Sequence, residues 1–480
     1  MTFSATLAQL TAILNATPIG ISGDKLAMQT VGIATDTRTI SPGEIFLALK
    51  GENFDGHDFV EEAVRQGAIA AIVNVDSAFS ALRSNSLPSV PLLTVVDTLA
   101  AYQRLARWWR DQFTIPVIAV TGSVGKTTTK ELIAAVLSPP NSHPPSPIPP
   151  ILKSKANYNN EIGVPKTLLE LRREHNYAVI EMGMRGPGEI ALLTQIAYPD
   201  IAVITNVGTA HIGRLGSEEA IAQAKCELLA ELNPTGIAIL NHDNPRLLKT
   251  AATVWSGETI TYGLEGGDIR GELINPETLR VEGLDLPLPL PGRHNALNYL
   301  AALAVARVVG MDWSSLAKGL AVELPSGRAQ RHELPGDVVI LDETYNAGLE
   351  SMLASLEMLA QTPARRRIAI LGTMKELGGR SPEFHRQVGT AVRQHRLDHL
   401  LILAEAAEAE ALATGALPLS SERFHHREDV VARLKEIVQP GDCLLFKASR
   451  AVGLDQVVAQ FRAAWSYSPS STPLTSKLDP

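Results

Sequence analysis

Residues 115–130 read IPVIAVTGSVGKTTTK, and the organisation of the whole chain follows from them. Residues 117–120, VIAV, form an apolar run without alternation, as in a strand buried on both faces. Gly122 and Gly125 permit a tight turn whose amides converge on an anion, and the chain beyond has helix character. A phosphate fits there. Lys126 would supply positive charge to the β/γ-phosphates and Thr127 a hydroxyl to Mg2+, with Ser123 and Thr128 in the same turn and the helix N-terminus adding donors. The pattern G-x-x-x-x-G-K-[ST] puts a glycine where this chain has Val120, so the match is to the shorter G-x-x-G-K-T. The simpler reading is an ordinary strand-turn-helix with a surface lysine.

A chain of 480 residues, divided by about 150 per domain, predicts about three domains, and 45% hydrophobic residues can fill three cores. A formal charge of -8 argues against a general nucleic-acid surface, so binding must come from local sites. Cys226 and Cys443 are the only cysteines and have no metal spacing, which points to a reducing compartment. Neither a basic-then-apolar leader nor a run of eighteen apolar residues occurs, so a cytoplasmic protein without a transmembrane segment is expected.

Working outward, residues 1–113 read as a small α/β domain: a helix within 1–16, a strand in DTRTISPGEIFLALKG, a helix to Gln66, a strand near 68–74, and a helix running over Trp108 and Trp109. Arg38, Asp55 and His57 fall in loops, where they would reach a polar head group such as a nucleotide diphosphate or simply form turns. The tryptophans are read as packing residues. Residues 114–325 form the central domain, interrupted by SPPNSHPPSPIPP at 138–150, an exposed loop by its proline content. Its later strands end in EMGM (Glu181) and NVGTAH (His211), so Thr127, Glu181 and His211 follow three strand ends and would converge on one cation. Lys225 lies in a helix over 218–229. Asn295 and Asn298 share a face at the start of a long alanine-rich helix, suited to a purine edge or to capping. Residues 326–462 again alternate strands with helices and place Glu343, Tyr345, Asn346, Lys447 and Arg450 at strand ends, and residues 463–480 read as a disordered tail.

With these passages in order, the chain resembles the Mur ligase family from near residue 30 to about 460. The resemblance is carried by DTR with PGEIFLALKGENFDGHDF, TGSVGKTTTK, NYNNEIGVP, EMGMRGPGEI, TNVGTAHIGRLGSEEAIAQAKCEL, GRHNALNYLAA, DETYNAGLESM, LGTMKELG with FHRQVG, and KASRAVGLDQVV. Tyr345–Asn346–Ala347 favours the branch that adds D-alanyl-D-alanine. The resemblance implies a three-domain α/β fold: a central P-loop ATPase-like, mostly parallel sheet flanked by an N-terminal UDP-substrate domain and a C-terminal Rossmann-like domain.

It further implies ATP and Mg2+ as cofactors, and UDP-N-acetylmuramoyl-tripeptide and D-alanyl-D-alanine as the partners joined, in a monomer. Lys126, Glu181, His211 and Lys225 would be catalytic; Thr127, Glu181 and His211 would hold the metal, and Lys225, if carbamylated to N6-carboxylysine, would join them. Gly122, Ser123, Gly125, Thr128, Asn295, Asn298, Arg328 and Glu343 would bind the nucleotide. Asp36, Arg38, Asp55, Gly56 and His57 match the UDP-sugar region, Asn160 the substrate region of NYNNEIGVP, and Tyr345, Asn346, Lys447, Ser449 and Arg450 the amine-substrate region. Gly348, Leu349, Thr373 and Ala448 depart from the family pattern. DNPR at 243–246 matches letters found in the last domain of a diaminopimelate-adding relative, but here falls in the central domain and is read as coincidental. The competing readings are another Mur branch, a folate-polyglutamate-type relative, or a nucleotide-dependent switch that binds a partner through its proline loop.

Overall fold

The computed structural model describes residues 2–21, 23–78, 91–138 and 151–465. The proline-rich loop, apart from Ser138, and residues 466–480 lie outside them. Three α/β bodies follow one another, each on its own sheet.

The first sheet has five strands in the order Thr17–Ile19, Leu92–Val95, Ala70–Asn74, Ile45–Leu47, Ile33–Ala34, all parallel except the first. Its closing helix, Thr98–Arg110, begins where Asp97 accepts the N–H groups of Leu99 and Ala100. This helix fastens the first body to the second. Trp109 packs between Phe3 and Phe113 at centroid distances of 5.1 and 5.2 Å and donates its indole N–H to Leu171 O. The buried Arg110 donates to Asp200 Oδ2 at 3.0 Å and to the carbonyls of Phe113 and Ala197. The tryptophans are packing residues, as their sequence setting predicts.

The central sheet has nine strands, with Val117–Thr121 flanked by Tyr177–Glu181 and Ile201–Ile204, both parallel to it. Every residue of Val117–Thr121 is buried, the consequence of a strand covered on both faces. Glu181 pairs with Val120 and Ile204 with Thr121, so the three strands end level and their following loops share one edge. Glu181 is the last residue of its strand rather than the first beyond it. The parallel part continues through Ile237–Asn241 and Glu258–Gly263 to Ile269–Asn275. A meander, Thr278–Val281 and Leu284–Pro287, adds an antiparallel edge that the sequence reading did not foresee. The helix Lys126–Val136 follows directly on Gly125 and packs against Arg293–Val308, whose buried alanines permit close approach.

The third sheet has six strands, with Asp442–Lys447 between Val338–Asp342 and Arg366–Gly372. Its final helix, Leu454–Ala464, runs past the expected start of the tail, and Trp465 caps it by stacking on Phe461 and donating to Pro335 O. Asn244 caps the helix Pro245–Val254 and Arg246 pairs with Glu218, so DNPR serves local structure here. Among the described residues no helix is long and apolar enough to cross a membrane.

Candidate active site

The turn after Val117–Thr121 is held open by its glycines. A Cβ on Gly122 (φ +151°) would stand 1.9 Å from Thr205 Oγ1, and one on Gly125 (φ +83°) 2.5 Å from Asn298 Oδ1. Side chains then fix the loop from outside: Val124 N–H donates to Asn206 Oδ1, Thr205 Oγ1 donates to Val124 O, and Ser123 Oγ accepts the N–H of Gly208. Backbone amides are thereby ordered around an anion-sized space at a helix N-terminus. Lys126 reaches back to Gly122 O at 2.8 Å. Desolvation in the cleft pushes its ammonium below its ordinary range, Glu181 opposes that shift, and Arg328 adds to it.

Glu181 is the most tightly held carboxylate of the site. Thr127 Oγ1 donates to its Oε2 at 2.9 Å, Asn159 Nδ2 to its Oε1 at 2.9 Å, and its own N–H is taken by Ser154 Oγ. Beneath it lies the fully buried Lys130, whose Nζ is 3.7 Å from Glu181 Oε2. A hydroxyl and a carboxylate meeting at a cavity wall suit a hard divalent cation. Among the described residues no group of three or more His, Cys, Asp or Glu side chains is placed to hold a metal, so such a cation would take its remaining ligands from water and phosphate.

His211, at φ +68°, points from the third strand-end loop to the C-terminal body, where its Nδ1 stands 2.5 Å from Glu376 Oε2. Burial holds its pKa below the ordinary histidine value, with Lys126 and Lys225 acting in the same direction and Glu376 against them. The same stretch also meets the C-terminal body through Thr209 on Glu350, Gly213 N–H on Glu376 O at 3.0 Å and Arg214 on Glu376 Oε1 at 3.5 Å. The strand-end loop carrying Glu376 is fixed by His385, whose Nε2 accepts the N–H of Met374 while Nδ1–H donates to Ser381 O. Thr373, where the family pattern has aspartate, accepts Glu405 N–H and keeps that turn capped.

The opposite wall belongs to the C-terminal body. The Arg328 guanidinium lies 3.8 Å from the centre of the Tyr345 ring, and its buried Nε has no hydrogen-bond partner among the described residues. Glu343 accepts Ala329 N–H and faces Lys447 Nζ at 3.6 Å, while Lys447 also donates to Asn346 O. Burial lowers the Lys447 pKa, partly offset by Glu343. Ser449 Oγ accepts Lys375 N–H, and Arg450 pairs with Asp455. Apart from Asp455, these residues line one cavity of about 790 Å³ together with Lys126, Thr127, Glu181, His211, Asn160, Asn295 and Asn298. Asn298 also supports the turn, accepting from Thr129 Oγ1, and Asn160 Oδ1 accepts Gly163 N–H just before the helix Gly163–Leu168.

The five N-terminal candidates lie outside that cavity wall. Asp36 binds the exposed Arg38 guanidinium through both oxygens, which lowers its pKa to about 2. His57 is committed to structure, with Nδ1 2.5 Å from Asp55 and Nε2 accepting Asn74 N–H. Gly56 is needed because a Cβ would strike Leu49 O at 2.7 Å. Lys225 is buried behind the cavity rather than on its wall. Burial and Lys126 hold its ammonium well below the lysine range, and among the described residues no carboxylate is within ion-pair distance. Sequence reasoning missed Lys130, Glu350 and Glu376. All three lay within stretches already singled out, Lys130 in the opening motif and Glu350 and Glu376 in DETYNAGLESM and LGTMKELG, but only the fold shows what they face.

A P-loop at the edge of a parallel sheet, completed by groups from a second α/β body, defines a phosphate-binding enzyme whose site is assembled between domains. The chain belongs to the Mur ligase family. Residues 29–108 match the family's catalytic domain, 120–306 the Mur ligase middle domain, and 327–450 the Mur ligase glutamate ligase domain. It is 56% identical, over 90% of this chain and 92% of the other, to UDP-N-acetylmuramoyl-tripeptide--D-alanyl-D-alanine ligase of Synechocystis sp.. It is 36% identical, over 95% and 98%, to the protein of that name from Escherichia coli. Among solved structures, MurF from Acinetobacter baumannii superposes with a TM-score of 0.82 at 30% identity, covering 96% of this chain and 99% of that one. MurF ligase from Thermotoga maritima in complex with ADP gives a TM-score of 0.77 at 32% identity, covering 90% and 97%.

Proposed function

We propose that this chain joins D-alanyl-D-alanine to the terminal carboxylate of UDP-N-acetylmuramoyl-tripeptide, using ATP and forming UDP-N-acetylmuramoyl-pentapeptide, ADP and phosphate. The observation that carries this reading is one cavity whose two walls supply Lys126, Thr127 and Glu181 from the central body and Arg328 and Lys447 from the C-terminal body. Three units support the division of labour: 1–113 for the UDP-sugar through Asp36, Arg38 and the turn held by Asp55, Gly56 and His57; 114–325 for ATP; 326–462 for the nucleotide's outer face and the incoming amine.

The chemical obstacle is repulsion between a carboxylate and a polyphosphate. The tripeptide carboxylate attacks the γ-phosphorus, the bond to the β-phosphate oxygen breaks, and ADP leaves an acyl phosphate. The dipeptide amine then attacks the acyl carbon, loses a proton, and phosphate departs. Lys126 and the amides of Gly122–Gly125 hold phosphate oxygens through both steps. Thr127 and Glu181 would hold Mg2+ with His211 beside them, and that ion supplies charge neutralisation at the phosphates. Asn295 and Asn298 suit the adenine side, and Arg328 with Glu343 the nucleotide's outer face. Tyr345, Asn346, Lys447, Ser449 and Arg450 face the acceptor. Lys225, a depressed amine with no acidic partner within ion-pair distance among the described residues, suits conversion to N6-carboxylysine. Each side chain named comes from a single chain, so a monomer suffices, and nucleotide-linked substrates with two unpaired cysteines suit the cytoplasm. Phosphate release from ATP by the purified protein tests this reading: it should require both the tripeptide nucleotide and D-alanyl-D-alanine, and release unaffected by omitting the dipeptide would count against it.

A further inference from the structure

We propose that Lys130 is a positioning residue of the reaction centre: its ammonium, sealed beneath the P-loop helix, sets the orientation of Glu181 and through it the strength of divalent-metal binding. This rests on the reading of Thr127 and Glu181 as the metal-holding pair. Lys130 is fully buried and takes no part in the cavity wall, so it is no direct partner of phosphate. It sits one turn beyond Lys126 on the same helix, turned to the sheet instead of the cleft. Its Nζ donates to Ser154 O at 2.7 Å and stands 3.1 Å from Glu131 Oε1 and 3.7 Å from Glu181 Oε2. Ser154 is also the residue whose Oγ receives Glu181 N–H at 3.0 Å. One ammonium therefore ties down both the carboxylate and the backbone support of Glu181.

Packing does not require a charge at this position. A buried ion pair loses in desolvation much of what it gains in attraction, and an apolar side chain of similar volume commonly serves stability as well or better. The ammonium instead separates two carboxylates, Glu131 and Glu181, that are 6% and 3% exposed. Glu131 has a second cation in Lys153, whereas Glu181 has Lys130 as its one ion-pair partner among the described residues. Removing the ammonium leaves Glu181 without its ion-pair partner and held in place by Thr127 and Asn159 alone, which loosens its aim into the cavity. Partners one layer behind a metal-holding group typically change metal affinity by about 10–100-fold.

Lys130→Met and the charge-balanced double variant Lys130→Met/Glu131→Gln test this, with Glu131→Gln alone as the control. Mn2+ affinity is read by electron paramagnetic resonance in the presence of a non-hydrolysable ATP analogue, and the Mg2+ dependence of turnover is measured beside it. The expected result is about tenfold weaker Mn2+ binding and a similarly raised Mg2+ half-saturation in the Lys130 variants, with KM for the tripeptide nucleotide unchanged and Glu131→Gln like the parent. The double variant, which removes the Glu131 carboxylate together with the ammonium and so leaves the net buried charge unchanged, keeps the test open should the single variant not fold. Parent-like Mn2+ affinity in a folded Lys130 variant, or an equal loss in Glu131→Gln, overturns the assignment. If no variant and not even the parent turns over the dipeptide, the proposed function fails, while the Mn2+ measurement still decides the role of Lys130.

Discussion

Glu350 of the C-terminal body accepts the backbone N–H of Thr209 in the central body at 2.6 Å, with Thr209 Oγ1 at 3.2 Å from its other oxygen. The carboxylate clasps the loop that carries His211 and seals one end of the cavity. Hydrogen bonds to a charged group contribute about 1.5–3 kcal/mol, or roughly 10–100-fold in the closed-to-open ratio. Glu350→Ala should therefore expand the protein in solution scattering with substrates present and lower kcat/KM by about tenfold or more, while the melting temperature of each body stays near that of the parent. An unchanged scattering profile and unchanged kinetics would mean that Glu350 does not hold the two bodies together.

Gly213 makes the same junction a matter of shape. A Cβ there would lie 2.4 Å from Gly378 N and 2.8 Å from Glu376 O, both backbone atoms that cannot swing aside. Gly213→Ala must separate the two bodies by a few tenths of an ångström or more at the point where His211 meets Glu376. Reaction geometry is sensitive to displacements of this size, and a misplacement of about 1 Å can cost about 100-fold. Turnover should fall strongly with circular dichroism unchanged; full activity would mean that this contact opens during catalysis.

Much of the fold was legible because buried parallel strands leave continuous apolar runs and the loops behind them collect polar residues. The run VIAV, the Gly-Lys-Thr turn and the carboxylate at Glu181 could each be placed from local pattern. The antiparallel meander over Thr278–Val281 and Leu284–Pro287 could not, because its strands are short, partly exposed and contain proline and aspartate. In the site, residues that act across distance in the chain were the hidden ones. Lys130 reads as a solvated helical lysine until the sheet is known to lie beneath it, and Glu350 and Glu376 gain meaning only when the two bodies meet. His57 shows the opposite limit: a loop histidine chosen for a head group has both ring nitrogens engaged in holding a turn.

On the proposed role of Asp36 and Arg38 in holding the UDP-sugar, Arg38 would separate substrate capture from chemistry. Its guanidinium is exposed, held by Asp36, and does not line the cavity. Arg38→Ala should raise KM for the tripeptide nucleotide by about tenfold, the loss of one charge-assisted contact, with kcat nearly preserved. A fall in kcat at unchanged KM would place Arg38 in the reaction step instead.

His385 gives the protein an acid limit. Burial holds its folded pKa below the ordinary 6.5, and its neutral ring accepts from Met374 while donating to Ser381. Below pH 6.5 the unfolded chain then binds a proton that the folded chain resists, so the folded state loses stability as pH falls from 6.5 toward the folded pKa. This residue contributes a slope of at most about 1.4 kcal/mol per pH unit. Denaturant titrations of His385→Gln should show a lower stability near neutrality by about 1–3 kcal/mol and a flatter pH dependence below it. An acid slope as steep as the parent's would assign that limit to other groups.

Amide-bond formation at the P-loop cavity is tested most directly by mass spectrometry of the product. Purified protein given ATP, Mg2+, UDP-N-acetylmuramoyl-tripeptide and D-alanyl-D-alanine should yield the UDP-linked pentapeptide with one ADP per molecule formed, and Lys126→Ala should yield almost none. Absence of that mass with the parent protein, or its undiminished formation by Lys126→Ala, would contradict the account.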